Sequence, residues 1–555
     1  MIKVVARHAM QAIDRQAAAE YGVPTLLLME NAGAAVARRA AALLGGRLEG
    51  RRIVVVAGPG NNGGDGLVAA RRLAAAGARV RVVMAVDGGP EQPRLSEDAA
   101  VQYRLARAFD LQWSWVDEEP PEAGVRLLGD ADLVVDAVLG TGSRGAPRGK
   151  ASRVIEWMAQ AGRPTLAVDI PSGVDADTGQ VPGPAVRCVE TVTFGAPKPG
   201  LLTFPGAAFA GRIWVAEIGF PPALIQGAPA VAFVLDAATA RAWLPDRPLD
   251  AHKGRFGHVL VVAGSRGMIG AGALAARAAL VAGAGLVTWA VPASLQDVAA
   301  GLVPEALTAA LPDAGGGCLA READEAILGL LASRDVLLVG PGLGTHPETA
   351  RAVRAVVRAW DGPMVVDADG INILAAVDGQ GRASDPAGPD EGRAVAGPWG
   401  ASRTVPAVLT PHPGEMARLL GWSVAQVQDD RLAAAGEAAR RLQAVVALKG
   451  ARTVIATPAG DRWINPTASP ALATGGSGDV LAGMVAGLMA QGAEPSRAAA
   501  CACFVHGLAA YLAAGGGEVG ITATDLARAV GEALRALRRG DPMPPEMEPV
   551  VPLPL

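Results

Sequence analysis

The sequence predicts an α/β fold in two consecutive domains, each built around a largely parallel sheet. Short Val- and Ile-rich runs, bounded by Gly, Pro or Asp, alternate with Ala-rich segments of helical length. Such apolar runs are typical of strands that are buried on both faces of a parallel sheet. The pattern breaks at a Pro/Gly-rich stretch, 219–230, and then restarts. We therefore expect domains at 1–224 and 225–540 and a flexible tail at 541–555.

Four apolar runs predict the main strands of the first domain. They are RIVVVAG (52–58), RVRVVMAV (79–86), DLVVDAVLG (132–140) and TLAVDIPSG (165–173). The corresponding runs of the second domain are GHVLVVAGS (257–265), DVLLVGPGLG (335–344), PMVVDADG (363–370), AVLTPHPGE (407–415) and AVVALKG (444–450). Ligands of such folds bind beyond the carboxyl ends of the strands. Residues 379–404 read as a flexible insertion, and the tail is too rich in proline for a packed element.

Composition narrows the classes of partner. The chain has 555 residues, with 50 basic and 54 acidic side chains, and its net charge of −4 does not favour nucleic acid or an acidic membrane. The most apolar stretch, 278–293, is too short and too broken by Gly and Pro to span a membrane. Four cysteines without a CxxC pair fit a reducing compartment. Since the N-terminus also lacks the apolar core of a signal peptide, we expect a cytoplasmic protein.

The loop GPGNNGGDG (58–66) follows the first strong strand and suggests an anion site. Glycines tolerate positive φ, so successive N–H groups can converge on a phosphate, and a helix beginning near Asp65 or Gly66 would add its dipole. Asn61 and Asn62 add amide groups, while Asp65 could orient a hydroxyl or cap the helix. A tight turn without a ligand is the alternative. The motif lacks the GK[ST] ending of a Walker A loop.

Further polar side chains follow neighbouring strands of the first domain. Asp136 lies in one run, Asp169 and Ser172 end the next, and Lys198 follows at 193–201. An Asn, an Asp and a Ser offer hard oxygen ligands that suit a monovalent or divalent cation. A cap or turn role for Asp136 is the alternative.

With LLLMENAG (26–33), PGNNGGDG, DAVLGTG and DIPSGVD, residues 1–220 resemble the NAD(P)H-hydrate epimerase family, a Rossmann-like three-layer α/β/α domain. The resemblance implies NADHX or NADPHX, nicotinamide cofactors hydrated at C6, as substrates. It implies K⁺ on Asn62, Asp136 and Ser172, with Asp169 beside the substrate. A carboxylate such as Asp169 could shuttle the proton of the epimerisation, which makes it the candidate catalytic residue. The implied substrate-binding residues are Asn61, Asn62, Gly63, Gly64, Asp65, Gly140, Thr141, Gly142, Ser143, Arg144, Gly145, Ala146 and Asp169.

A second glycine-rich loop, ATGGSGD (473–479), precedes an apolar segment of helical length. N–H groups of Gly475 to Gly478 can line an anion hole at the helix N-terminus, and Asp479 could deprotonate a hydroxyl there. A capped helix start is the alternative. Lys449 ends a strand where it could meet nucleotide phosphates, and His412 lies between prolines at another strand end.

With HKGxxGHVLVVAGS, GPGLG, TPHPGE, LKGxxT and GGSGD, residues 235–535 resemble the ribokinase-like NAD(P)H-hydrate dehydratase family. The resemblance implies ADP as co-substrate with Mg²⁺. The implied nucleotide-binding residues are Lys449, Gly450, Ala451, Arg452, Thr453 and Gly478. The implied hydrate-binding residues are Ala271, Gly342, His412 and Asp479, the last also catalytic. The insertion 379–404 departs from the family pattern in length.

Together the two resemblances imply one repair enzyme. The first domain would interconvert the C6 epimers, and the second would dehydrate the S epimer while ADP becomes AMP and phosphate. Phosphate is a better leaving group than hydroxide, so Asp479 could prepare the hydroxyl for phosphoryl transfer and elimination. The alternatives are a ribokinase-type kinase that keeps its phosphorylated product and a non-catalytic nucleotide-binding protein. We also expect a homo-oligomer.

Overall fold

The computed structural model describes residues 1–376, 403 and 405–553, which form two compact units. One comprises residues 3–232 and the chain end from 549, and the other comprises residues 1–2 and 233–548. Both are α/β units with largely parallel sheets, which confirms the predicted fold class. The predicted insertion lies outside the described residues except for Arg403.

The first unit is a parallel sheet flanked by helices. The strands of this sheet include β2 (Arg52–Ala57), β3 (Arg79–Met84), β4 (Gln112–Trp115), β5 (Leu133–Ala137), β6 (Thr165–Val168), β7 (Glu190–Phe194) and β8 (Arg212–Ala216). Strand β1 (Ile2–Val5) precedes the first helix and lies outside this sheet. Its helices are α1 (Arg7–Tyr21), α2 (Thr25–Leu43), α3 (Asn61–Ala75), α4 (Glu97–Ala106), α5 (Pro121–Gly129), α6 (Gly149–Ala161), α7 (Ala207–Ala210) and α8 (Pro222–Gly227). The central strand order is β8-β7-β6-β5-β2-β3-β4. Every residue of β5, β6 and β7 is buried, as expected for strands covered on both faces.

The loop after β2 differs from its sequence prediction. Helix α3 begins at Asn61 rather than near Asp65, so most of the glycine-rich motif is the first turn of the helix. Its glycines permit close packing instead of positive φ: a Cβ on Gly63 would lie 2.0 Å from the carbonyl oxygen of Gly58. A Cβ on Gly66 would lie 2.5 Å from the Cβ of Ala137. Glycine thus brings the start of α3 down onto the strand ends.

The second unit repeats the architecture with a larger sheet. Its strands are β9 (Ala230–Val234), β10 (His258–Val262), β11 (Leu286–Pro292), β12 (Leu307–Leu311), β13 (Val336–Val339), β14 (Met364–Val366), β15 (Val408–Leu409), β16 (Val445–Leu448), β17 (Val454–Ala456) and β18 (Arg462–Ile464). Its helices are α9 (Ala237–Trp243), α10 (Ile269–Ala282), α11 (Gln296–Leu302), α12 (Ala323–Leu331), α13 (Pro347–Ala359), α14 (Asp369–Ala375), α15 (Pro413–Leu420), α16 (Val424–Asp429), α17 (Arg431–Leu442), α18 (Ser477–Ala490), α19 (Pro495–Ala513) and α20 (Ala523–Arg539). Within the described residues these ten strands lie in the order β9-β18-β17-β16-β15-β14-β13-β10-β11-β12, and the pairs β16–β17 and β17–β18 are antiparallel.

Alanine- and glycine-rich helices form the core on one side of this sheet. Helix α18 is buried at every residue from Val480 to Ala490. Glycines allow it to touch α10: a Cβ on Gly483 would lie 2.2 Å from the carbonyl oxygen of Ala275. Within the described residues, only α19 is long and apolar enough to cross a membrane, and 78% of it is buried inside the protein. The close approach of α18 to α10 fixes the N-terminus of α18 beside the strand ends.

The chain end is packed rather than flexible. Strand β19 (Val550–Pro552) extends the first sheet by pairing in parallel with β8, and Ile213 N donates to the Pro549 carbonyl at 2.7 Å. The expectation of a flexible tail is therefore wrong for this segment. Proline is tolerated because an edge strand needs hydrogen bonds on one side only. Val550, buried to 5% exposure, supplies the apolar anchor.

Candidate active sites

A cavity of about 520 Å³ opens in the first unit at the carboxyl ends of β2, β5 and β6. Helix α1 closes one side with Met10, Gln11 and Asp14, and the first turn of α3 lies at another. The N–H groups at the start of α3 have no helical acceptors, so this turn can receive a phosphate. Ligands of parallel α/β sheets bind beyond the carboxyl ends of the strands, and the cavity lies at that position.

A buried ion pair lies at the floor of this cavity. Lys198 Nζ, 2% exposed, lies 2.5 Å from Asp169 Oδ1 and also donates to Thr193 Oγ1 and the Phe194 carbonyl. Asp169 Oδ1 accepts two further bonds, from Thr193 Oγ1 and Phe194 N. Among the described residues no donor reaches Asp169 Oδ2. The pair therefore fixes one carboxylate oxygen and leaves the other for a ligand.

Asp169 also has a strained backbone. Its φ is +64°, a region that a residue with a side chain rarely adopts. Its N–H donates to the Val192 carbonyl at 2.7 Å, which anchors the conformation at the end of β6. Strain of this kind persists only where the surrounding structure enforces it, and it is found most often at functional sites.

Two more carboxyl groups line the cavity with shifted pKa values. Burial raises the pKa of Asp14 to about 6, with attraction to Lys198 opposing the shift and Asp169 adding to it. The Asp14 side chain nevertheless remains solvent-exposed along the cavity. Burial, followed by repulsion from Asp169 and Asp14, raises the pKa of Asp65 well above its usual value. The cavity thus combines three acidic groups and one cation.

Asn62, Asp136 and Ser172 meet at the loop after β5. Asp136 is fully buried and accepts from Ser172 Oγ at 2.6 Å and from Ser172 N at 2.8 Å. Burial raises its pKa to about 6, and Ser172 opposes this. Both amide atoms of Asn62 are buried, and neither has a hydrogen-bond partner in the part of the chain that the structure describes. A Cβ on Gly140 would lie 3.0 Å from Asn62 Cβ, so the loop packs directly on this amide.

The structure separates the predicted substrate-binding residues of the first unit into two groups. The residues that line the cavity are Asn61, Asn62, Asp65, Gly140, Thr141, Gly142, Ser143 and Asp169. The residues outside its lining are Gly63, Gly64, Arg144, Gly145 and Ala146. Gly63 and Gly64 are buried within the first turn of α3, where they serve packing, while residues 144–146 continue the loop on the exposed surface.

The second unit carries another buried ion pair at its strand ends. Lys449 Nζ lies 2.7 Å from Asp367 Oδ1, and the side chains are 19% and 1% exposed. Thr410 Oγ1 donates to the same oxygen at 2.7 Å. Burial opposes the charge of Lys449, but Asp367 and Glu415 outweigh it and raise the pKa. Lys449 therefore remains cationic where the predicted nucleotide phosphates would lie.

Asp479 lies in the first turn of α18, beside this pair. A Cβ on the preceding Gly478 would come within 3.3 Å of Lys449 Nζ, which brings the loop and the lysine together. Burial raises the pKa of Asp479 to about 7; repulsion from Asp367 adds to this and Lys449 opposes it. A carboxyl group with this pKa exchanges protons near neutrality, as a general base must.

His412 has a structural role that the sequence did not suggest. Its Nδ1 accepts from Gly414 N at 2.9 Å and caps α15, while Glu415 completes a capping box by accepting from His412 N at 2.7 Å. Burial, with Lys449 and Arg418 nearby, lowers the pKa of His412. The imidazole is half exposed and can still contact a ligand.

Of the other predicted residues of the second unit, Ala271 lies in the first turn of α10, and Gly342 and residues 450–453 lie in loops. Gly342 has φ +61°, and a Cβ there would lie 2.9 Å from Ala271 Cβ, so these two are in contact. The predicted nucleotide segment connects β16 to β17. Arg431 supports it by donating to the carbonyls of Leu448 and Lys449. Backbone strain recurs at Ala368, φ +50°, between the two aspartates that follow β14.

Sequence reasoning gave no role to several charged residues of these sites. They are Asp14 in the first unit and Asp367, Asp369 and Glu415 in the second, whereas Lys198 was expected at the strand ends but without a stated role. Lys198 and Lys449 belong to a chain with only five lysines, so scarcity was a usable signal for them. Asp14 lies on an amphipathic helix far from any glycine-rich loop and had no such signal.

Comparison with known proteins gives matches to both units. A family described as NAD(P)H-hydrate dehydratase matches residues 259–531, and one described as YjeF-related protein N-terminus matches residues 25–200. A bifunctional NAD(P)H-hydrate repair enzyme of Moorella thermoacetica is 44% identical over 90% of this chain and 90% of its own. One from Thermofilum pendens is 41% identical over 97% of each chain. A solved ADP/ATP-dependent NAD(P)H-hydrate dehydratase from Bacillus subtilis, co-crystallised with ATP/Mg²⁺, is 30% identical with a TM-score of 0.45, covering 55% of this chain and 99% of that chain.

Proposed function

This chain belongs to the family of bifunctional NAD(P)H-hydrate repair enzymes, and we propose which residues of its two units carry out the two reactions. It epimerises NADHX and NADPHX at C6 and dehydrates the S epimer to NADH or NADPH, with ADP converted to AMP and phosphate. Water adds to either face of the nicotinamide ring, so a dehydratase shaped for one epimer leaves the other unrepaired. Epimerisation in the same chain supplies the missing substrate.

Epimerisation belongs to the cavity of the first unit. The start of α3 holds the pyrophosphate through free N–H groups, and Gly140 to Ser143 contact the rest of the substrate. The C6 hydroxyl lies next to the ring nitrogen, whose lone pair can expel it. Asp169 Oδ2, which no donor of the described residues reaches, exchanges a proton with the reacting oxygen.

A K⁺ ion fits the cluster of Asn62, Asp136 and Ser172. The cluster contains a buried carboxylate without an ion-pair partner among the described residues and a buried amide without hydrogen bonds. Both features cost free energy unless a cation or water completes them. Bound K⁺ would neutralise Asp136 and order the loop at 138–142. These residues are the ones that the sequence resemblance implied.

Dehydration belongs to the second unit. Lys449 and the start of α18 receive the nucleotide phosphates, while Ala271, Gly342 and His412 contact the hydrate. Asp479 takes the proton of the C6 hydroxyl as that oxygen attacks the β-phosphorus of ADP, and AMP departs. The C6–O bond then breaks with phosphate as leaving group, and loss of a proton from C5 forms the ring double bond. The observation that carries this assignment is the joint position of Lys449 and Asp479.

Mg²⁺ would accompany the nucleotide. Among the described residues no group of three or more His, Cys, Asp or Glu side chains could hold a metal ion alone. Mg²⁺ commonly binds through one or two carboxylates together with substrate phosphates, so phosphate oxygens would complete its shell. Asp367 and Asp369, which flank the strained Ala368, are candidate ligands from the protein.

We also propose that the protein is cytoplasmic and self-associates. All four cysteines are free, which suits a reducing compartment. Tyr21 and Leu27 are exposed on the first unit and give apolar surface for a second copy. Light scattering that gives the mass of one chain would contradict self-association.

A single assay tests the repair function. Both NADHX epimers are mixed with protein, ADP, Mg²⁺ and K⁺, and the absorbance of the reduced nicotinamide ring is followed. We expect complete recovery, in a fast phase for the S epimer and a slower phase limited by epimerisation. Recovery that stops after the first phase would contradict the epimerase assignment. Nucleotide consumption without recovery would indicate a kinase.

A further inference from the structure

We propose that Asp14 is the second acid–base residue of the epimerisation and acts on the face of the ring opposite Asp169. The inference rests on the proposed epimerase function of the first unit. Inversion at C6 requires the oxygen to leave from one face and water to add at the other. Two proton-exchanging groups on different elements meet this requirement without rotation of the bound ring.

Lys198 is not suited to be the general acid of the epimerisation. An ammonium group has three N–H donors, and Lys198 directs them to Asp169 Oδ1, Thr193 Oγ1 and the Phe194 carbonyl. It is 2% exposed, so its proton cannot reach a ligand unless this arrangement breaks. Lys198 is therefore a positioning residue that holds Asp169 Oδ1 in place.

Asp14 is placed to supply the proton. It lines the cavity from α1, while Asp169 lines it from the end of β6. Its solvent exposure allows it to regain a proton after each turnover. Burial raises its pKa to about 6, and the charged groups that face it are Lys198, Asp169, Asp65 and Arg15. Both of its protonation states are thus populated near neutral pH.

The reaction balances with one water released and one consumed. Asp14 donates its proton to the C6 hydroxyl, the C6–O bond breaks, and the nitrogen lone pair forms a C6=N double bond. A water molecule then forms a C6–O bond on the other face and gives its proton to Asp169 Oδ2, while the electron pair returns to nitrogen. Solvent removes that proton and restores the one on Asp14. The reverse direction uses the same steps backwards.

The test uses the full chain and both epimers, with the dehydratase phase as internal control. For Asp14→Asn we expect the slow, epimerase-limited phase to fall by about 100-fold or more, within the range of general acid–base catalysis. The fast phase should be unchanged. Glu20→Gln is the matched control, since Glu20 is an exposed carboxylate on the same helix and does not line the cavity. An unchanged slow phase in Asp14→Asn would overturn the proposal.

Two further readouts keep the proposal testable if Asp14→Asn destabilises the unit. The wild-type epimerase rate should fall as pH rises through about 6, because Asp14 loses the proton that it donates to the C6 hydroxyl. Asp14→Glu should retain a measurable epimerase rate and the same decrease of that rate with rising pH. A wild-type rate that does not decrease with rising pH would overturn the proposal. If wild-type protein does not accelerate epimerisation at all, the proposed function of the first unit fails instead. In ¹⁸O-labelled water, each inversion should introduce one labelled oxygen, and inversion without label would contradict the water exchange.

Discussion

The ammonium nitrogen of Lys449 lies 2.7 Å from Asp367 Oδ1, and the first turn of α18 with Asp479 approaches this pair. A base that would accept the substrate proton thus lies next to the cation that would bind the nucleotide. Burial raises the pKa of Asp479, while the lysine lowers it, and the balance is about 7. The Lys449–Asp367 pair therefore influences the pKa of Asp479 in addition to its proposed role in binding phosphate.

Asp479→Asn should abolish most dehydration. Removal of the general base should lower the ADP-dependent rate by about 10²–10⁴-fold, with ADP affinity retained because Lys449 is intact. In the wild type this rate should rise with pH through about 7, since Asp479 acts unprotonated. Rates are read from the fast recovery phase. Asp297→Asn is the control: Asp297 is an exposed aspartate in the first turn of α11, and equal losses in both variants would contradict the assignment.

Lys449→Met should impair both stability and nucleotide binding. It leaves Asp367 buried without its cation, and breaking a buried ion pair costs about 3–5 kcal/mol. The double variant Lys449→Met/Asp367→Asn should recover much of the stability without recovering affinity for ADP. Urea unfolding and ADP titration separate the two effects. Recovery of ADP binding in the double variant would show that Lys449 has only a structural role.

Potassium should stabilise the first unit in a pH-dependent way. The folded pKa of Asp136 is raised from 3.8 to about 6, so its ionisation opposes folding: stability falls as pH rises between these values and stays low above them. K⁺ should offset this loss above pH 6 and have little effect near pH 4. Thermal unfolding in KCl and in tetramethylammonium chloride measures the difference. Asp136→Asn should remove it, and a K⁺ effect that survives this change would contradict the site.

Val550→Asp should destabilise the first unit specifically. Val550 is 5% exposed and faces the core from β19, and burying a valine contributes about 1.5–3 kcal/mol. Pro552→Asp changes an exposed residue of the same strand and is the control. Epimerase activity should be lost at lower temperature in the first variant, with the dehydratase unaffected. Equal behaviour of the two variants would indicate that β19 does not contribute.

The strands were the most predictable part of the fold. The run at 52–58 became β2, because consecutive β-branched residues are favoured where a strand is covered on both faces. The glycines of the loop that follows were misinterpreted, since sequence does not distinguish a glycine needed for positive φ from one needed for close contact. Gly63 is of the second kind.

The charged pairs and the chain end were less predictable because they depend on contacts between distant segments. Asp14 reaches the cavity from α1, and its neighbours there come from β6 and the loop after β7. Proline content argued against structure in the tail, yet an edge position removes the cost of a missing N–H. Local sequence does not indicate which edge strand of a sheet is available for pairing.

Strand β19 has a consequence for synthesis of the protein. The ribosome makes β8 long before β19, and residues 233–548 of the second unit are translated between them. The first sheet therefore has an unpaired edge strand throughout elongation, the kind of surface that invites intermolecular pairing. The unit that is made first is the last to be completed, and its nascent form needs protection until the final strand emerges.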